Sequence, residues 1–275
     1  MASFTNFATL SYNGGTTNSN IVTGEILEAL TAVKTAVSAN YSAGDRITYA
    51  LSLVNTGTAA ITDYTVTDNL GGYTVGANTV YPLAYNAGTV RYYINGVLQT
   101  APTVTAGPPL TVTGLTVPAG GSAVLIYETT ATPVAPLATG SSITNTATIT
   151  GGGLTTPITA QATVETANSA ELSISKALSP TTVTENGQIT YTFVISNTGN
   201  TEATATGNVV VTDTFAPILR NIAVTYNGTA WTEGTNYTYN AATGVFTTLA
   251  GQITVPAATF TQNTDGTFTV TPGTA

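Results

Sequence analysis

Twice in this chain, strand-like alternation sets a lysine, an aspartate and an asparagine among apolar residues. In Leu172, Ile174, Lys176 and Leu178 the lysine shares the apolar face, and Asp213 does the same among Val209, Val211 and Phe215. Asn6 shares a face with Phe4, Ala8 and Leu10. Lys34 repeats the pattern, with Asp68 between Val66 and Leu70 and Asn145 between Ile143 and Ala147. A lone ammonium on a buried face is costly, so each lysine needs its partners close. The plain chemistry of such a set is a buried Lys–Asp ion pair hydrogen-bonded to an asparagine.

The strands that would hold these residues are legible as repeats. Phe4-Thr5-Asn6-Phe7-Ala8-Thr9-Leu10, then Gly14-Gly15 and a run ending at Glu25, return as Ile143-Thr144-Asn145-Thr146-Ala147-Thr148-Ile149, Gly151-Gly152-Gly153 and Pro157 to Glu165. Each copy predicts one β-hairpin, with the glycines supplying the turn. Ile26-Leu27-Glu28-Ala29-Leu30 then connects, as a helical turn or a strand start. A longer repeat follows. Val33-Lys34-Thr35 matches Ser175-Lys176-Ala177, Ile47-Thr48-Tyr49 matches Ile189-Thr190-Tyr191, and Asn55-Thr56-Gly57 matches Asn197-Thr198-Gly199, all at one offset. Further on, Val66-Thr67-Asp68 matches Val211-Thr212-Asp213, and Val117-Pro118-Ala119 matches Val255-Pro256-Ala257. The two Asn-Thr-Gly tripeptides are expected to be hairpin turns.

Composition bounds the function. The chain has 275 residues, is 42% hydrophobic and only 7% charged, and carries a formal charge of −8. Such an acidic surface argues against nucleic acid. Without cysteine or histidine, disulfides, thiol nucleophiles and the commonest general base and metal ligand are missing. No nucleophile–base pair is visible, so the expectation is a non-enzyme with no cofactor and no metal. Asn263-Thr264-Asp265-Gly266 offers too few carboxylates for calcium. No apolar run is long enough for membrane insertion, and Met1-Ala2-Ser3-Phe4 does not resemble a signal peptide.

The run Glu171-Leu172-Ser173-Ile174-Ser175-Lys176, with Ile189-Thr190-Tyr191-Thr192-Phe193, Asn197-Thr198-Gly199-Asn200 and Val209-Val210-Val211-Thr212-Asp213, resembles the bacterial Ig-like repeats called domain-of-unknown-function family eleven. These occur in tandem in surface and envelope proteins, and the resemblance implies an immunoglobulin-like sandwich with a structural, extracellular role. A first-strand lysine, a central-strand acid and a last-strand asparagine also resemble the spontaneous isopeptide sites of Gram-positive pilins and adhesins. By that resemblance, a neutral lysine attacks the asparagine side chain while the acid shuttles protons. Lys34 would then bond to Asn145 within a subunit, and Lys176 to Asn6 of a neighbour.

The expected architecture is all-β: an N-terminal donor hairpin with its connector (1–27), a first immunoglobulin-like sandwich (28–167) and a second (168–275), arranged as an elongated rod. After Val255-Pro256 the chain reaches Phe268-Thr269-Val270-Thr271 and stops at Ala275, so the second sandwich is expected to lack its closing hairpin. The spare hairpin at the other end copies what is missing. Residues 4–25, through Phe4, Asn6, Ala8, Leu10, Ile21 and Val22, are therefore expected to enter the second domain of the next subunit, forming a head-to-tail homopolymer. The expected setting is an extracellular, cell-surface or spore-surface filament. The alternative is a non-polymerising stalk or ligand-binding module of a larger adhesin.

Overall fold

A computed structural model describes residues 2–26 and 29–275, leaving Met1 and the connector residues Leu27 and Glu28 outside it. The chain divides into two compact units: the residues up to Ala135 with Ser142–Glu165, and Pro136–Ser141 with Thr166–Ala275. It is all-β; a single 3-10 turn, Ala205–Gly207, is the one helical piece among the described residues.

In the first unit, two sheets face each other as a sandwich. One runs in the order β13 (Val97–Leu98), β12 (Arg91–Ile94), β16 (Ser122–Ala131), β7 (Arg46–Asn55) and β5 (Leu30–Ala36), with β11 (Leu83–Tyr85) also paired to β16. The other runs β14 (Thr103–Thr105), β15 (Leu110–Val117), β8 (Ile61–Asp68), β17 (Ser142–Gly151), β18 (Ile158–Thr166) and β6 (Asn40–Tyr41). A small ladder of β9 (Tyr73–Val75) and β10 (Asn78–Val80) stands apart. Alternation builds the core. Ile47, Tyr49, Leu51 and Leu53 of β7 are fully buried, and Ile143, Asn145, Ala147 and Ile149 of β17 point the same way into the sandwich. Between β12 and β13, Asn95 and Gly96 both adopt positive φ, as a two-residue hairpin turn requires.

The Asn-Thr-Gly segments are not hairpin turns. β7 ends at Asn55, and the next strand, β8, belongs to the opposite sheet, so Asn55-Thr56-Gly57 starts a crossing between sheets. Buried Asn55 ties the corner together: its amide donates to the carbonyls of Ala59 (2.8 Å) and Pro118 (3.0 Å), and its Oδ1 accepts from Gly57 N. Asn197 does the same with Thr201, Pro256 and Gly199. Gly199 admits no side chain, because an added Cβ would lie 2.2 Å from the carbonyl oxygen of Ser169.

The second unit is smaller and more open. β19 (Leu172–Ser179) and β20 (Thr190–Asn197) pair along their length, and β28 (Gly273–Thr274) joins β20 at Ser196 and Asn197, with Ala275 and Ile195 exchanging two further backbone hydrogen bonds. The opposing sheet is β21 (Thr212–Thr214), β25 (Val245–Thr248) and β24 (Tyr237–Asn240). Two hairpins complete it, β22 (Val224–Tyr226) with β23 (Thr229–Trp231), and β26 (Thr259–Gln262) with β27 (Phe268–Thr271). The run Phe268 to Thr271 pairs with β26 as one arm of a hairpin that has no counterpart in the first unit. Since Ser196 pairs with Thr274 as Val54 pairs with Ser122, β28 matches only the first residues of β16.

The N-terminal segment forms the expected hairpin. β1 (Ala2–Asn6) pairs with β4 (Val22–Ile26), and β2 (Thr9–Tyr12) with β3 (Gly15–Asn18). Among the described residues, no strand of either unit pairs with it.

Candidate functional site

The first unit holds Lys34, Asp68 and Asn145 together at the centre of its sandwich. Lys34 comes from β5, opposite Leu51 of β7; Asp68 closes β8, opposite Ala147 of β17; Asn145 lies two residues earlier on the same face of β17. The three residues, 34 to 111 positions apart in sequence, are almost wholly buried. The Lys34 ammonium lies 2.5 Å from Asp68 Oδ2, which also accepts from the Tyr127 hydroxyl, while Asp68 Oδ1 accepts from Leu70 N at 3.0 Å. The amine sits over the Tyr49 ring, 4.8 Å from its centroid, and Tyr49 stacks on Tyr127.

Burial lowers the Lys34 pKa from 10.5 to about 8, against the opposing pull of Asp68. The Tyr49 and Tyr127 hydroxyls are pushed above their ordinary values by burial first and by the Asp68 charge second. Asn145 lies close enough to ease both shifts, yet neither of its amide atoms nor the Tyr49 hydroxyl meets hydrogen-bonding geometry with a partner among the described residues. A fully buried carboxamide with both atoms unsatisfied is rare and costs on the order of 1–3 kcal/mol per atom. The tyrosines were missed by sequence reading, although Tyr49 and Tyr191 stand at matching positions of the repeat.

The second unit contains the same clasp without its cover. Lys176 lies opposite Phe193 as Lys34 lies opposite Leu51, and Asp213 opposite Phe246 as Asp68 lies opposite Leu110. Lys176 Nζ is 2.5 Å from Asp213 Oδ2 and lies over the Tyr191 ring, 4.6 Å from its centroid. The Lys176 side chain is 40% exposed, where that of Lys34 is 0% exposed. Every residue of β19 is exposed, Ile174 and Leu178 included. Among the described residues, nothing pairs with the edge of β21 that β17 occupies in the first unit, and no asparagine joins the clasp.

The N-terminal hairpin matches β17–β18 in register as well as in sequence. Ser3 faces Glu25, Phe4 faces Gly24, Thr5 faces Thr23 and Asn6 faces Val22, just as Ser142, Ile143, Thr144 and Asn145 face Glu165, Val164, Thr163 and Ala162. The ladders diverge beyond this, since Thr9 pairs with Asn18 where a straight continuation requires Ser19. Phe4, Asn6, Ala8, Leu10, Ile21 and Val22 are all exposed, whereas Ile143, Asn145, Ala147 and Ile149 are buried.

No protein-family model matches the chain, and no curated protein sequence does. Among solved structures, the pilus backbone of Streptococcus pneumoniae matches 44% of this chain at 16% identity and a TM-score of 0.35. The match spans 31% of that protein, so the chain corresponds to about a third of its length. A variant of the major pilin subunit of Bacillus cereus matches 99% of this chain and 73% of its own at 14% identity, with a TM-score of 0.41. The collagen-binding subdomain of the Enterococcus faecalis surface protein ACE matches 50% of this chain and 99% of its own, at 10% identity and a TM-score of 0.31.

Proposed function

We propose that this chain is a structural subunit of an extracellular filament, polymerising with copies of itself by hairpin donation, and that it does no catalysis on other molecules. The observation that carries this reading is the shared register: residues 3–6 and 22–25 pair as residues 142–145 and 162–165 do, and the position that β17–β18 would fill in the second unit is open. By the internal copy, donated Ala8 would lie opposite Asp213 and Leu10 opposite Val211, with Glu25 N donating to Thr181 O as Glu165 N donates to Ala39 O. Burying Phe4, Ala8, Leu10 and one or two of Ile21 and Val22 would contribute about 5 to 10 kcal/mol before ordering costs. Donor and acceptor are different surfaces, so the contact is heterologous and propagates. The edge of β20 from Thr190 to Val194, which β16 covers in the first unit, is a separate requirement.

The clasp gives the contact a covalent form. Neutral Lys34 Nζ attacks Asn145 Cγ; the Nζ–Cγ bond forms, the Cγ–Nδ2 bond breaks, and Asp68 relays a proton from the amine to the departing nitrogen, which leaves as ammonia. The depressed Lys34 pKa and the unsatisfied Asn145 amide support this, since the step consumes both groups. Between subunits, Lys176 and Asp213 would act on Asn6 in the same way.

The decisive experiment is electron microscopy and light scattering of the purified chain beside a version lacking residues 1–26. Fibres from the parent and none from the shortened protein are expected. A uniform monomer in both would refute polymerisation and leave the stalk reading.

A further inference from the structure

The two clasps differ in the residues around them. At the matching positions, the first unit has Leu51, Leu70 and Leu110, and the second has Phe193, Phe215 and Phe246. Phe215 is the hub of the second set: its ring centroid lies 4.8 Å from Tyr191, 6.3 Å from Phe246 and 6.4 Å from Tyr239. Tyr191, Phe193 and Tyr239 are half-buried, although Tyr49 and Leu51 are fully buried in the covered unit.

The two hairpins differ in a matching way. Where β17–β18 has Ile143 opposite Val164, the N-terminal hairpin has Phe4 opposite Gly24. The Phe4 ring lies on Gly24, so closely that a Cβ there would stand 2.4 Å from its Cζ. Gly24 is the seat that lets an aromatic ring occupy this position. In the first unit, Ile143 packs over the residue just after Leu70: a Cβ added to Gly71 would stand 2.6 Å from Ile143 Cγ2. The same place in the second unit follows Phe215.

From these two differences we infer that Phe4, seated on Gly24, is the residue that selects the acceptor, by adding a ring to the Phe215 aromatic cluster of another copy of this chain. This inference rests on the filament reading. An offset or edge-on ring contributes beyond its buried area, and a branched aliphatic side chain does not reproduce that contact. The aliphatic site of the first unit has no such cluster, so the donor is matched to one of the two sandwiches and mismatched to the other.

The test converts the donor pair into the internal pair. Full-length protein carrying Phe4→Ile with Gly24→Val takes on the Ile143–Val164 cross-strand pair of the β17–β18 hairpin. Its half-assembly concentration is expected to rise about tenfold or more over the parent. Adding Phe215→Leu, which makes the acceptor resemble the first unit, should recover part of that loss, while Phe215→Leu alone should weaken assembly by the parent donor. Circular dichroism and the melting transition of each variant check that the units remain folded. If the parent assembles and the double variant assembles at the same concentration, selection by Phe4 is wrong and the filament reading stands. If the parent never assembles, both fall.

Discussion

At the scale of residues, the first unit buries a lysine, a carboxylate, a carboxamide and two phenols in one cluster. If the Lys34–Asn145 bond forms, intact-mass measurement after boiling in denaturant should find the protein one ammonia lighter for that site, and Asp68→Ala should restore the full mass. A full-mass parent removes the covalent proposal. The Asn145→Ala variant, in which Lys34 stays a free amine, tests its environment. Because the folded pKa of about 8 lies below the unfolded 10.5, the unfolded chain binds more protons between them, and stability should rise with pH across that window. The raised Tyr49 and Tyr127 pKa values reverse the trend above about pH 10, where the unfolded phenols ionise first. Denaturant melts at pH 7, 8.5 and 10 check this. A flat profile contradicts the buried-amine description.

At the scale of elements, the claim is a strand register. The protein has no native cysteine, so Leu10→Cys with Val211→Cys places one introduced thiol pair directly across the proposed donor–acceptor ladder. Oxidation should yield a ladder of multimers on a non-reducing gel. Leu10→Cys with Thr212→Cys, one residue out of register and on the other face, should crosslink far less. Equal crosslinking by the two pairs excludes the register copied from β17. The hairpins themselves were legible, because alternation and glycine punctuation are local signals. The Asn-Thr-Gly corners were misread for the same reason: a tight turn within a sheet and a corner between sheets share their residues, and only the partner strand distinguishes them.

At the scale of the whole molecule, the proposal is that donated strands give chain association and that the second clasp adds a weld. Fibres of the parent boiled in detergent should run as a ladder of covalent multimers, whereas Asn6→Ala fibres should form and then dissociate to single chains under the same treatment. Parent fibres that fall wholly to monomers would show that Lys176 and Asn6 do not react. Lys34 and Lys176 are the only lysines in the sequence, and each sits 2.5 Å from an aspartate at the same place in its unit. That placement ties both of the chain's lysines to equivalent sites, one beneath β17 and the other beside the open edge of β21.

The sequence alone determined the all-β class, the repeat, the spare hairpin and the faces on which Lys34, Asp68 and Asn145 would meet. Each of these follows from periodicity two and from self-similarity, which a linear string contains. What the tertiary structure decided is which edges have partners: the burial of one clasp and exposure of the other, the tyrosines around Lys34, and the match of Ser3–Asn6 to Ser142–Asn145 in register. Pairing is a relation between strands far apart in the chain, set by backbone hydrogen bonds that are the same for every residue type. Side-chain pattern therefore constrains it without fixing it.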